Sequence, residues 1–173
     1  MYLISIYFDE NTNKVLNRYI QGIAECSGNS FMTDNNVPPH ITVLSIEAPS
    51  KDVLMDRFET ATKDVEKGTI IIPSIGQLLP YVIYAFPVMN QYLLDLQQKM
   101  IDFFSDIGAV SISKYYSKNS WMPHITLGKT LDAQQMKSAF EYLQKHFNPM
   151  EAKIEKIGLA KTNPHEDLMI KTL

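Results

Sequence analysis

The sequence has one cysteine and no long hydrophobic run, and each shortage excludes a class of protein. Because Cys26 has no second cysteine to pair with, no disulfide can form within the chain, which is typical of a reducing compartment. No apolar run reaches the roughly 18 residues that a membrane-spanning helix needs. The N-terminal residues MYLISIYFDENTNK lack the basic start and the apolar stretch of a signal peptide. We therefore expect a cytoplasmic protein that does not interact with membranes.

The charge balance is slightly acidic. The chain carries 16 basic and 19 acidic residues, which gives a net charge of −3. Since duplex nucleic acid is bound chiefly by neutralising its phosphates, this balance argues against a surface for an extended duplex. A small anionic ligand needs only a local pocket and is compatible with it. The length of 173 residues suits one domain, or two small lobes that share a core.

The tetrapeptide PHIT occurs twice, at residues 39–42 and 123–126, within apolar runs that are typical of strands. The two copies contain two of the four histidines of the chain. In a strand, side chains two positions apart point to the same face, so each histidine shares a face with its threonine. The isoleucine between them points the opposite way, into a core. Each motif therefore presents an imidazole and a hydroxyl side by side.

Two imidazoles and two hydroxyls in one cleft suit phosphodiester cleavage. One histidine can accept a proton from the attacking water while the other donates a proton to the departing sugar oxygen. Threonine hydroxyls can donate hydrogen bonds to the nonbridging phosphate oxygens as charge develops. One such motif on a strand is more often structural, and duplication of a core strand is the alternative explanation for two. The residues that we expect to carry the chemistry are His40, Thr42, His124 and Thr126.

The two motifs belong to an internal repeat. With one two-residue gap, superposing the motifs aligns two further pairs of landmarks: Phe58-Glu59 with Phe140-Glu141, and Ile75-Gly76 with Ile157-Gly158. Each half, about 1–79 and 80–173, then reads strand, helix, histidine-bearing strand, helix, strand. Such a duplication predicts one two-lobed α+β domain over residues 1–173, with both histidines in a shared cleft.

Hydrophobic periodicity and chain breakers predict the individual elements. Pro73 interrupts one predicted strand and indicates a sheet edge or a bulge there. Residues 27–39 read as a loop, with a short strand near Phe31 as one interpretation. Asp132 is expected to cap a helix over about 133–147. The predicted strands cover 2–8, 40–46, 69–79, 81–88 and 124–129, and a closing hairpin joins 152–162 to 167–173 around NPHE.

The paired PHIT motifs resemble the two His-x-Thr signatures of the two-histidine (2H) phosphoesterase superfamily. This superfamily includes the bacterial RNA 2′-5′ ligases, also called RNA 2′,3′-cyclic phosphodiesterases. The resemblance covers essentially the whole chain. It implies antiparallel sheets around a central cleft, with His40, Thr42, His124 and Thr126 as the catalytic quartet. It also implies a hydrolase that opens 2′,3′-cyclic phosphates or cleaves 2′-5′ linkages in RNA ends or small nucleotides, without a metal or other cofactor.

The sequence departs from that family's pattern around the first motif. Many bacterial members carry a basic residue shortly after it, whereas here the motif is followed by VLSIE. They often carry an arginine on the strand that opens the second half, which here begins PYVIYAF. The second motif does keep a nearby cation, Lys129. These departures indicate a different phosphodiester or a smaller nucleotide as the substrate.

Further substrate contacts are expected from residues near the motifs. Aromatic rings beside a phosphate site can stack on a base or pack beneath a loop, and the sequence leaves both alternatives open. A lysine there can hold phosphate or lie in solvent. The candidates are Tyr7, Tyr84, Tyr115, Tyr116, Trp121 and Lys129. His146 and His165 are expected at the surface without a catalytic role, and neither has the spacing of a metal ligand.

Two other functions remain open from the sequence. One is a non-catalytic nucleotide- or phosphate-binding module of the same fold. The other is an interaction protein whose histidines serve only packing. For the favoured enzyme, the expected partner is a nucleotide or an RNA end, and nothing in the sequence demands more than a monomer.

Overall fold

The computed structural model describes residues 1–162 and 166–173, which form two antiparallel sheets with helices packed against them. The strands are β1 (Tyr2–Phe8), β2 (His40–Glu47), β3 (Gly68–Ile72), β4 (Ser74–Leu78), β5 (Val82–Phe86), β6 (Ser111–Ile112), β7 (Ile125–Gly128), β8 (Met150–Lys161) and β9 (Glu166–Thr172). The helices are α1 (Glu10–Ser27), α2 (Phe31–Asp34), α3 (Asp52–Thr62), α4 (Gln91–Phe104) and α5 (Ala133–His146), with a 3₁₀ turn at Lys114–Tyr116. This architecture confirms the predicted α+β class, and each half follows the predicted order of strands and helices.

Each sheet is assembled from both halves of the chain. The large sheet has the strand order β3-β8-β1-β2-β6, and β9 also pairs with β8, whereas the small sheet has the order β4-β5-β7. β4, the last strand of the first half, therefore pairs with β5, the first strand of the second half, and β8, near the end of the second half, pairs with β1, the first strand of the first half. We call β4 and β8 the exchanged strands. The exchange interlocks the two halves, because neither contains all the strands of one sheet.

Pro73 separates two strands that belong to different sheets. β3 ends at Ile72 in the large sheet, and β4 begins at Ser74 in the small sheet. The prediction of one strand over 69–79 with an edge or bulge is therefore wrong at this point. Proline has no N–H to donate to a ladder, so the chain leaves one sheet here and enters the other.

A β-bulge occurs at the same position after both motifs. Val43 is an extra residue of β2 against β1, and Leu127 is an extra residue of β7 against β5. Both side chains are fully buried. A bulge bends its strand and redirects the neighbouring side chains, and bulges are frequent beside active sites. The flanking pairs are Ile4–Leu44 and Ser5–Thr42 in the large sheet, and Ile83–Gly128 and Tyr84–Thr126 in the small sheet.

The helices cover the two sheets in pairs. α1 and α5 pack together and against the small sheet, whereas α3 and α4 pack together and against the large sheet. Asp132 caps α5 as predicted, through a capping box with Gln135. Within the described residues, no helix is both long enough and apolar enough to cross a membrane.

Two predictions about loops have different outcomes. The segment 27–39 contains the short helix α2 rather than a strand near Phe31. Four residues are too few for a helical hydrophobic period to show in the sequence. The closing hairpin is confirmed, since β8 and β9 pair antiparallel. Its turn, which includes His165, lies outside the described residues.

Candidate active site

The four PHIT side chains lie on the strands that carry the two bulges. His40 and Thr42 are on β2, Thr126 is on β7, and His124 immediately precedes β7. All four are partly exposed, whereas the isoleucine between each pair is fully buried. The alternation that the sequence predicts is therefore present in both motifs.

Both histidines are held by the same backbone interaction. Nδ1 of His40 lies 2.8 Å from the carbonyl oxygen of Pro38, and Nδ1 of His124 lies 2.9 Å from that of Met122. A carbonyl can only accept, so Nδ1–H is the donor in each case, and this fixes the tautomer. Nε2 is then the nitrogen that gains or loses a proton. The carbonyl two residues before each histidine thus selects the same tautomer in both rings.

A cavity of about 350 Å³ joins the two sheets at the motifs. His40 and Thr42 line it from the large sheet, and Thr126 and Lys129 line it from the small sheet. His124 is not among its lining residues. The remaining wall combines α2 and its neighbours with the ends of two strands: Leu3, Phe31, Met32, Asn35, Val37 and Thr162.

A tyrosine contacts each histidine ring. Tyr7 is the cross-strand partner of His40, with ring centroids 6.1 Å apart. Tyr84 meets the ring of His124 edge-on, with centroids 5.5 Å apart. Both tyrosines are almost buried, with 7% and 8% of their surface exposed. They form part of the surroundings of the histidines, and the predicted contact of both tyrosines with a substrate stays a prediction.

Tyr7 also reaches a carboxylate. Its hydroxyl lies 3.5 Å from Oδ1 of Asp167 on β9, at the limit of a hydrogen bond. Burial, together with the negative charge and hydrogen bond of Asp167, raises the pKa of Tyr7 far above its ordinary value. The phenol therefore stays protonated and can act only as a neutral donor or a packing surface beside His40.

The aromatic residues before the second motif have three different environments. Trp121 is 8% exposed, and its Nε1–H donates to the carbonyl oxygen of Thr42 over 3.0 Å, which favours packing over base stacking. Burial raises the pKa of Tyr116, and the neighbouring side chain of Thr42 partly offsets that rise. Tyr115 is 67% exposed, with Nζ of Lys114 lying 5.3 Å from its ring centroid. Trp121 thus bonds to Thr42 of the first motif, and Tyr116 lies beside it.

Lys129 is exposed at the mouth of the cavity. Its ammonium lies 5.6 Å from the ring centroid of Phe31 on α2, close enough for a cation–π contact. It also lines the cavity together with both motif threonines. This position suits a cation that holds phosphate, which is the role predicted for it.

Sequence reasoning missed two groups of residues near the histidines. One is the α2 wall of the cavity, which carried no motif. The other is Phe86 on β5, which is 37% exposed and has its ring 6.5 Å from that of Tyr84. Period-two alternation from Tyr84 along β5 places Phe86 on the same face and would have found it.

The remaining histidines lie away from the motifs or outside the described residues. His146 is exposed at the end of α5, with its ring 4.6 Å from that of Tyr142, as expected of a surface residue. His165 lies outside the described residues. Across residues 1–162 and 166–173, no three histidine, cysteine or acidic side chains come together as metal ligands would.

Comparisons with known proteins agree with this architecture. Residues 16–166 match the family described as the 2′-5′ RNA ligase superfamily. The structure is similar to E. coli LigT complexed with 3′-AMP, with a TM-score of 0.67 and 14% identity over 99% of this chain and 97% of that chain. It is also similar to TT0787 of Thermus thermophilus, with a TM-score of 0.66, 14% identity and the same coverage. E. coli LigT complexed with ATP gives a TM-score of 0.61 at 14% identity over 99% of this chain and 96% of that chain. At these identities the likeness shows the fold, and no curated protein has a significantly similar sequence.

Proposed function

This chain belongs to the 2′-5′ RNA ligase superfamily, and we propose that it is a metal-independent phosphodiesterase that opens 2′,3′-cyclic phosphates or cleaves 2′-5′ linkages. The observation that carries the proposal is that the same kind of backbone hydrogen bond orients both histidines. Each Nδ1–H is donated to the carbonyl two residues earlier, so each Nε2 is assigned to proton transfer. A packing role would not require the same tautomer in both motifs.

The reaction uses the two Nε2 atoms in opposite protonation states. The neutral imidazole takes a proton from water as the water oxygen bonds to phosphorus. The bond from phosphorus to the departing sugar oxygen breaks, and that oxygen takes the proton of the imidazolium. Thr42 and Thr126 donate their hydroxyls to the nonbridging oxygens, where negative charge builds. Water is added across one P–O bond, and the near-symmetry of the motifs leaves either histidine as the base.

The cavity suits a nucleotide or an RNA end. Its volume of about 350 Å³ lies at the lower end of the range for small-ligand sites. Lys129 supplies a cation for phosphate, and Leu3 and Met32 supply apolar surface for a nucleoside. E. coli LigT, which has the same fold, has been solved with 3′-AMP and with ATP. Of the predicted aromatic contacts, we propose Tyr7 and Tyr84 as the ones beside the reacting groups, because their rings contact those of His40 and His124.

A non-catalytic nucleotide-binding module is the second candidate. His124 does not line the cavity that the other three motif side chains share. A ligand confined to that cavity would meet one histidine and would lack the second proton-transfer group. The two candidates differ in whether a bound phosphodiester is turned over.

Turnover in the presence of EDTA separates these functions. We would assay 2′,3′-cyclic nucleotides, cyclic-phosphate RNA ends and 2′-5′ dinucleotides with the wild type and with His40→Ala/His124→Ala. We expect turnover by the wild type and a loss of at least about 10³-fold in the double variant, because both proton-transfer groups are gone. His146→Ala is the matched control, since that histidine is exposed and does not line the cavity at the motifs.

Two results would contradict the proposal. Turnover that survives in the double variant would exclude histidine chemistry. Saturable nucleotide binding without product, weakened in the same variant, would establish the binding module instead. The cytoplasmic location and the monomeric state stay predictions from the sequence.

A further inference from the structure

Two glycines lie beneath the tyrosines that contact the histidines. Gly76 on β4 pairs with Tyr84, and a Cβ atom at Gly76 would lie 2.5 Å from Cζ and Oη of that ring. A Cβ atom at Gly158 on β8 would lie 2.9 Å from Cε2 of Tyr7. Real Cβ atoms essentially never approach other atoms within 3.0 Å. Only glycine therefore leaves space for these two rings where they stand.

The strand exchange makes each of these contacts cross from one half to the other. Gly76 belongs to the first half, and its tyrosine contacts His124 of the second half. Gly158 belongs to the second half, and its tyrosine contacts His40 of the first half. These are the glycines of the Ile-Gly pairs that align in the sequence repeat. The repeat therefore places equivalent glycines in both exchanged strands, each behind a histidine of the other half.

We propose that Gly76 and Gly158 are positioning residues, each of which sets the orientation of a motif histidine through the tyrosine above it. Each tyrosine ring contacts both its glycine and its imidazole and is almost buried, so it cannot turn into solvent. The Nδ1 bond fixes one atom of each imidazole, and the tyrosine ring limits rotation about that bond. The glycine thereby controls where Nε2 points without touching the imidazole.

Alanine at Gly76 would displace the ring of Tyr84 by roughly half an ångström or more to restore an allowed contact with the new Cβ atom, and this ring also contacts His124. A displacement near 1 Å at a reacting group can cost on the order of 100-fold in rate. Alanine is otherwise harmless or favourable in a strand, because glycine loses more conformational freedom on folding. A loss of turnover in Gly76→Ala would therefore oppose what strand propensity alone predicts.

Gly68 offers a matched control within the same chain. It lies on β3, and a Cβ atom there would lie 2.4 Å from Cζ of Tyr92 on α4. The hydroxyl of Tyr92 donates to the carbonyl of Glu66, and neither residue lines the cavity at the motifs. Gly68→Ala thus disturbs a glycine–tyrosine contact of the same kind without a motif histidine beside it.

The test compares four variants with the wild type: Gly76→Ala, Tyr84→Ala, the double variant and Gly68→Ala. The imidazole Cε1–H resonance of His124 would be followed by NMR, and kcat and KM would be measured on a 2′,3′-cyclic nucleotide. In Gly76→Ala we expect a shifted His124 resonance and a kcat reduced at least about 10-fold, with a smaller change in KM. In the Tyr84→Ala background, Gly76→Ala should have no further effect, because the ring that transmits it is absent. Gly68→Ala should leave both readouts at wild-type values.

Two outcomes would overturn the proposal: an unshifted His124 resonance in Gly76→Ala, or effects that simply add in the double variant. If Gly76→Ala does not fold, recovery of folded protein in the double variant supports the contact with Tyr84, and failure to recover refutes it. The kinetic readout rests on the proposed function, whereas the resonance does not. Absence of turnover in the wild type would thus count against the enzyme alone.

Discussion

Each motif histidine is fixed at one ring nitrogen and packed against one tyrosine, although the two tyrosines come from different register positions. Tyr7 lies directly across from His40, whereas Tyr84 lies across from Thr126 and reaches His124 diagonally. The two histidines are therefore alike in their tautomer and different in the position of the tyrosine beside them. That asymmetry can assign different roles to two histidines of identical local sequence.

Because one Nε2 must be unprotonated and the other protonated, we predict a bell-shaped dependence of kcat/KM on pH. Below the optimum the base histidine becomes protonated, and above it the acid histidine loses its proton, so the rate falls on both sides. The measurement is the initial rate on a 2′,3′-cyclic nucleotide between about pH 5 and pH 9. His146→Ala should leave the profile unchanged. A rate that still rises at the alkaline end would identify a different base.

The four motif residues could be found from the sequence because a His-x-Thr spacing encodes a shared strand face. The contact between Trp121 and Thr42 could not, because it joins residues 79 positions apart. Nor could the sequence decide between packing and stacking for Trp121. That choice depends on burial, which tertiary packing determines.

Among the elements, the segment between β6 and β7 contacts the first motif from the other half of the chain. Trp121 in this segment donates a hydrogen bond to the backbone carbonyl of Thr42, and Tyr116 lies beside the side chain of Thr42. The segment therefore connects the strand of one motif to the residues that lead into the other. The position of Thr42 depends on this segment as well as on its own sheet.

Trp121→Phe should destabilise the protein and weaken catalysis together. The substitution keeps most of the buried aromatic surface and removes the donor to the Thr42 carbonyl, which costs about 1–3 kcal/mol if that acceptor stays unpaired. The free energy of unfolding from denaturant titration measures this loss. Tyr115→Ala is the control, because its exposed ring should contribute less than about 0.5 kcal/mol. Equal stability of Trp121→Phe and wild type would show that the hydrogen bond has no net effect.

The sequence predicts an element correctly where a long hydrophobic period or a local capping signal marks it. The prediction fails where the structure of a segment depends on which sheet or helix the segment packs against. The helix capped by Asp132 and the closing hairpin follow from local signals. The helix α2 and the division at Pro73 do not. A four-residue helix carries too little pattern. A proline shows that a ladder is interrupted but not which sheet the chain joins next.

In the whole molecule, the repeat in the sequence and the division into sheets differ. The halves 1–79 and 80–173 follow the repeat, while both sheets draw strands from both halves. Strand pairing over such distances is invisible to local periodicity, so the sequence predicts the repeated order of elements without predicting the exchange. The sequence repeat predicts a cleft shared by the two motifs. Which strands form the walls of that cleft depends on the strand exchange, which the repeat does not predict.

The exchange predicts that neither half folds alone and that the two complement each other. Fragment 1–79 lacks the partners of β3, of β4 and of one edge of β1, and fragment 80–173 lacks two of the three partners of β8 and the partner of one edge of β5. Unpaired strand edges and uncovered apolar faces should leave each fragment without a cooperative unfolding transition. Mixing the fragments should restore the transition and the native circular dichroism spectrum. A cooperative transition in either fragment alone would show that a half is an independent folding unit.

The exchanged strands also relate this single chain to a dimer of two half-length subunits. Two identical half-length chains that exchanged the strand equivalent to β4 and β8 would build the three-stranded part common to both sheets, β8-β1-β2 and β4-β5-β7, as a strand-swapped homodimer with twofold symmetry. β4 ends at Leu78 and β5 begins at Val82, so a linker of three residues converts that dimer into this single chain. Fusion frees the two copies to diverge, which a homodimer cannot do. The different tyrosine positions around His40 and His124 are the kind of divergence that only the fused chain permits.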